Sequence, residues 1–182
     1  MIRGLLRLGL VAAVGAAIAD RALASRRQGR EPAPIHSVVV VDAPIERVWP
    51  AVADVEAQPR WMADMKAVRL LTPGPVGVGS RAEADVRILG VGVRDPVTVT
   101  VLEAPRRFAI RHEGWFRGGG LIELTSGIDG RSTIVTWDET LEPPLLPDLG
   151  MLALRPILAS VFQADLHRLR AIIEAAPVGA PA

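Results

Sequence analysis

Hydrophobic and polar positions change their period three times along this chain. Leu8–Ala19 is a run of 12 uncharged, mostly apolar residues behind Arg3 and Arg7, and Asp20, Arg21, Arg26, Arg27 and Arg30 follow it. The polar, Pro-containing stretch at 31–34 reads as a linker. A domain then begins near Ile35, where the β-branched run Ser37–Val41 predicts a strand ended by Asp42-Ala43-Pro44. Pro44 suits the first turn of a helix and Glu46 its N-terminal charge preference. Ile45, Val48, Trp49 and Val52 at helical spacing predict a helix with one buried face, kinked by Pro50.

From Met65 onward the chain breaks into short extended runs. Arg81, Glu83, Asp85 and Arg87 alternate with Ala82, Ala84, Val86 and Ile88, which predicts a strand with charges outward and small apolar residues inward. Val97–Leu102, Phe108–His112, Leu121–Thr125 and Ser132–Leu141 repeat the signature. Turns are expected at Ala104-Pro105, Gly118-Gly119-Gly120 and Asp129-Gly130, so the strands should form an antiparallel meander. After Pro143, Pro144 and Pro147 the helical period returns. Pro156 is expected to open a helix of about 20 residues, roughly 30 Å long. Its apolar positions are Leu158, Val161, Phe162, Leu166, Leu169, Ile172 and Ile173, with Gln163, His167, Arg170 and Glu174 on another face. Residues 177–182 should form a disordered tail.

Composition narrows the function classes. The chain has 182 residues, 49% of them hydrophobic, enough for one ordinary domain plus an appendage. Cys is absent, which excludes disulfides, thiolate nucleophiles and Cys-ligated metals. No metal-ligand spacing, nucleophile elbow or phosphate-cradling glycine loop emerges, so no metal and no cofactor is expected. Residues 1–30 carry six Arg against Asp20, a net of +5, while the remainder has 15 basic and 19 acidic residues, a net of −4. A mildly acidic main domain with 4% aromatics predicts no nucleic-acid partner.

The N-terminal segment, residues 1–30, admits three readings. As an uncleaved membrane anchor it is short against the about 20 apolar residues of a full span. The heavier Arg count on its C-terminal side then predicts a cytoplasmic main domain. As a cleaved signal it would end at Ala22-Leu23-Ala24, leaving a secreted or periplasmic protein that starts at Ser25. A peripheral amphipathic helix is the third reading.

Ala43-Pro44, Val48-Trp49, Asp54 and Pro59-Arg60-Trp61 occur in series, followed by Gly77-x-Gly79, Pro105-Arg106-Arg107 and Asp129-Gly130 before Trp137. In this order, over about residues 35–176, the chain resembles the START-like superfamily, also called Bet v 1-like or SRPBCC, in its polyketide cyclase/dehydratase-like branch. The resemblance implies an α+β helix-grip fold. A curved antiparallel sheet of about six or seven strands would wrap a long C-terminal helix, with two short helices after the first strand. It also implies an apolar cavity between sheet and helix, open to lipids, polyketides or other hydrophobic molecules.

Within that frame, Ala84, Val86, Val99, Phe108, Ile110 and Trp137 from the sheet and Leu158, Phe162, Leu166 and Leu169 from the helix are the expected cavity walls, although the same pattern fits a solid core. His112 shares the alternation face of Phe108 and Ile110, which makes it a candidate general base or hydrogen-bond donor. Glu139 shares a face with Val135 and Trp137 and is a candidate cavity carboxylate; solvent exposure or ion pairing is the ordinary alternative for both. Trp115 and Phe116, flanked by glycines, and Leu145-Leu146 are candidate entrance residues. Three functions remain open. One is a membrane-associated binding or transfer module for a hydrophobic small molecule or lipid. The second is a cyclase- or dehydratase-like enzyme using His112 and Glu139, and the third an interaction domain with a filled core. The first asks least of the sequence, because no partner for His112 is visible in it.

Overall fold

Strand β1 (Ile35–Val41) alternates buried and exposed residues along its whole length, as its β-branched run demands of an edge strand lying on a core. In the computed structural model, which describes residues 2–27, 32–88 and 90–176, β1 runs into helix α2 (Ile45–Ala53) and a 3₁₀ turn (Gln58–Arg60). Six strands then follow: β2 (Met65–Leu70), β3 (Arg81–Ile88), β4 (Val91–Glu103), β5 (Arg107–His112), β6 (Arg117–Ser126) and β7 (Thr133–Glu142). All pair antiparallel in one seven-stranded sheet of order β1-β7-β6-β5-β4-β3-β2. Helix α3 (Pro147–Ala175) lies in the grip of this sheet, and α1 (Ile2–Arg26) packs beside it. This is the helix-grip fold. Part of the expected linker and the whole expected tail lie outside the described residues, as does the side chain of Ile88.

α3 seals the β1 edge as well as the core. Gln163 accepts from the Val38 N–H at 3.3 Å and donates to the Val38 carbonyl at 2.9 Å, while Glu174 accepts from the Asp42 N–H at 3.0 Å. Side chains thus occupy backbone groups that an open edge would offer to another strand. On its inner face α3 buries Leu158, Phe162, Leu166, Leu169 and Ile173 against Val48, Val52, Trp61 and Val135. Among the described residues α3 is long and apolar enough to cross a membrane by length and composition; one face packs in the sheet, while Leu152, Ile157 and Ile172 are exposed.

Three expectations need correction. The helix opens at Pro147 and has 29 residues, with Pro156 inside it. Pro147 takes the N-terminal place that suits its missing N–H, and Pro156 costs only the one bond toward the Leu152 carbonyl. No side chain next to Pro147 caps this end; Leu146 occupies the left-handed region at φ 52°. The cap comes from α1, where Asp20 Oδ1 accepts the N–H groups of Asp148 and Leu149, each at 2.9 Å. Arg27 then binds the Asp148 carboxylate at 2.8 Å. Ile172, expected on the apolar face, is exposed. Finally, Gly118-Gly119-Gly120 is not a turn. It lies inside β6, where a Cβ at each position would overlap, respectively, Thr140 O, Ile110 O and Glu139 Oε2.

Candidate functional site

Small inward residues leave the sheet and α3 imperfectly filled. Ala84, Val97, Ile110 and Ile122 from successive strands face Leu158 and Phe162 around a cavity of about 120 Å³. The protein's own aromatics take up the space beyond it. Trp137 stacks against Phe162 with ring centroids 4.6 Å apart, and Trp61 meets Trp137 edge-on at 5.9 Å.

One polar cluster faces this apolar space. Period-two spacing puts Asp95 beside Val93 and Val97 on β4, His112 beside Phe108 and Ile110 on β5, and Glu139 beside Val135 and Trp137 on β7. His112 Nδ1 lies 2.5 Å from Asp95 Oδ2 and its Nε2 lies 2.8 Å from Glu139 Oε1. The Trp137 indole N–H donates to Glu139 Oε2 at 2.8 Å, so both oxygens of that carboxylate are held. Gly120 on the intervening strand β6 has no side chain, and the Glu139 carboxylate lies where a Cβ would be. Burial works against a charged His112, but the hydrogen bonds to Asp95 and Glu139 and the charges of both outweigh it, raising its pKa to about 10. It is an imidazolium at neutral pH, donating from both ring nitrogens.

Asp165 supplies a further acid at the cavity wall, outside the His112 cluster. It is buried on α3, accepts the Ala63 N–H at 3.0 Å and pairs with Arg168. Burial raises its pKa to about 6, opposed by the Ala63 hydrogen bond, assisted by the nearby Asp64 charge and opposed again by Arg168. Among the described residues no cluster of His, Asp and Glu is arranged to hold a metal ion.

Residues 33–174 match the model of the polyketide cyclase/dehydrase and lipid transport family. The chain belongs to this family. Among solved structures, the Zhui aromatase/cyclase from Streptomyces sp. R1128 is similar at TM-score 0.63 and 20% identity, over 78% of this chain and 93% of that one. A START superfamily protein from Mycobacterium smegmatis is similar at TM-score 0.57 and 20% identity, over 79% and 95%. A conserved protein from Geobacillus kaustophilus is similar at TM-score 0.59 and 17% identity, over 76% and 93%. These likenesses establish the fold. No curated protein matches. Together, family and fold make this a ligand-binding or cyclase-type domain.

In this member of the polyketide cyclase/dehydrase and lipid transport family, Ala84, Val86, Phe108, Ile110, Trp137, Leu158 and Phe162 line the cavity, together with His112 and Glu139. Val99, Leu166 and Leu169, expected as walls, are sealed in the solid part of the core. Phe116 reaches the cavity, and Trp115 packs edge-on against it at 6.5 Å with more than half its surface exposed. Leu145 and Leu146 do not line the cavity; Leu145 is exposed and Leu146 precedes α3. The sequence reading missed Asp95 and Asp165. Asp95 is detectable as an acid in register with Val93 and Val97, and Asp165 as an acid at helical spacing with Phe162 and Leu169 on the apolar face of α3.

Proposed function

We propose that the domain is a binding module for a small, mainly apolar molecule, held in the cavity between the sheet and α3. The carrying observation is that the cavity walls are mostly apolar while the His112 cluster on β4, β5 and β7 is largely satisfied from within. A general base needs a free lone pair and a pKa near the working pH. His112 at about 10, with both nitrogens donating, has neither, so it serves better as a fixed polar landmark that orients a guest. A filled core would be the alternative, and the cavity of about 120 Å³ speaks against it.

We further propose that α1 is retained as a membrane anchor, with the main domain on the cytoplasmic side. The helix has 25 residues, of which the apolar run Leu8–Ala19 covers 12, about 18 Å at 1.5 Å per residue, so it enters the about 30 Å hydrocarbon core without filling it. Val14 and Ile18 are exposed, and Arg21 and Arg26 lie on the side expected to remain in the cytoplasm. Retention is also supported by the work Asp20 does at the start of α3, which cleavage after Ala24 would remove.

Native mass spectrometry of the full chain from mild detergent should recover a bound hydrophobic compound, and Ala84→Leu, which fills the cavity, should lose it. Repeated recovery of empty protein, with no thermal shift from an apolar panel, would overturn this reading. A cyclase-type enzyme is the second reading, favoured by the placement of Asp95, His112 and Glu139 together at the cavity. It requires that His112→Ala abolish turnover of a polyketide-like carbonyl substrate while the protein stays folded.

A further inference from the structure

We propose that the cavity selects a ring-sized guest bearing a cationic, hydrogen-bond-donating group, an ammonium of the benzylamine type, over a carboxylate of the same size. This rests on the binding reading and adds the charge of the ligand to it. The size follows from the cavity of about 120 Å³. An engineered apolar cavity of about 150 Å³ accepts benzene, so a single ring is the scale that fits without rearrangement.

The charge follows from the walls. Four carboxylates, Asp64, Asp95, Glu139 and Asp165, reach the cavity, and among the described residues no Arg or Lys does. His112 is the one cation on that wall, already shared between two of the acids, and Arg168 offsets Asp165 without lining the cavity. Four negative groups therefore face two positive ones. Apolar walls of low dielectric focus this field on whatever enters.

The unpartnered Asp95 Oδ1 is packed against Gly114, out of reach of the cavity, so the preference rests on the charges of the lining acids. Burying an ammonium is costly unless a counter-charge is already in place, and the carboxylates of Asp95, Glu139 and Asp165 are held by hydrogen bonds and largely dehydrated before the guest arrives. A guest carboxylate would meet repulsion from these acids.

The test uses the full chain in zwitterionic nanodiscs, with empty discs as the blank, and four probes at neutral pH: toluene, benzyl alcohol, benzylamine and benzoate. Saturation-transfer NMR and tryptophan fluorescence report binding. Benzylamine should bind at least about tenfold more tightly than benzyl alcohol, and benzoate at least about tenfold more weakly, as expected for like-charge rejection in a dry site. Asp95→Asn should shrink the amine-to-alcohol ratio at least about threefold. Asp64→Asn carries the same expectation if Asp95→Asn does not fold. Ala84→Leu should remove binding of every probe, and amine binding that survived it would lie elsewhere and sink the proposal. Benzoate as tight as benzylamine, or benzylamine no tighter than toluene and benzyl alcohol, would overturn the charge preference and leave the binding reading standing. If even toluene fails to bind, the binding reading falls and takes this inference with it.

Discussion

His112 on β5 and Glu139 on β7 stand 27 positions apart in sequence, with all of β6 between them, yet Nε2 and Oε1 are 2.8 Å apart. The contact exists because the intervening residue is Gly120, over which the carboxylate lies. Geometry of this kind makes the cluster sensitive to changes at either end and in the middle.

The imidazolium should leave a mark on alkaline stability. The folded-state pKa of His112 is about 10 against the ordinary 6.5, so the native state holds a proton that the unfolded chain releases. Its stabilisation is fully present below pH 6.5 and fades as pH rises through about 10. His112→Gln strands two buried carboxylates and should cost about 3–5 kcal/mol at neutral pH. Chemical denaturation across this pH window should show the wild type losing stability more steeply than the variant. Parallel curves would show that the proton is not held.

Gly120→Ala should displace the Glu139 carboxylate from His112 or from the Trp137 indole. Overpacking of this sort costs about 1–3 kcal/mol. In a Glu139→Ala background the same substitution should cost clearly less, because the obstructing atoms are gone. Equal penalties in both backgrounds, measured by urea unfolding, would place the strain elsewhere.

Asp165 acts at the acid end of the range, where burial penalises its charged form. Its pKa is about 6 in the folded chain against the usual 3.8, so the native state binds more protons between these values and stability falls as pH rises through the window. At most about 3 kcal/mol is at stake, less whatever solvent around the Arg168 pair screens away. Asp165→Asn should flatten the profile between pH 3.8 and 6, leaving the alkaline limb set by His112 unchanged.

Loss of the remote cap should show at the start of α3. Asp20→Ala removes the acceptor of two N–H groups and should cost about 0.5–2 kcal/mol, the range for ordinary helix caps. Amide exchange at Asp148 and Leu149 should quicken while the sheet amides do not change. A chain starting at Ser25 should show the same local exchange.

Much of the fold was legible because burial on a strand or helix repeats with a fixed period. Alternation of Arg81 to Arg87 with Ala82 to Val86 marked β3 and its inner face, and the spacing of Leu158, Phe162, Leu166 and Leu169 marked the gripping face of α3. Glycines and prolines misled where a neighbour decided their role. Gly118-Gly119-Gly120 has turn composition, but its missing side chains make room for β5 and β7, and Pro156 reads as a helix start only until Asp20 is seen capping Pro147–Ala175 from another helix.

The sequence by itself determined the strand and helix periods, the net charge of each part and the face on which His112 and Glu139 lie, since each is a property of neighbouring residues. Only the tertiary structure decided that Asp95 and Glu139 clasp one imidazole, that Asp165 reaches the same cavity and that α1 caps α3. Those contacts join residues 17, 27 and 128 positions apart, and a distance through space is set by strand order and helix docking, which local pattern does not encode.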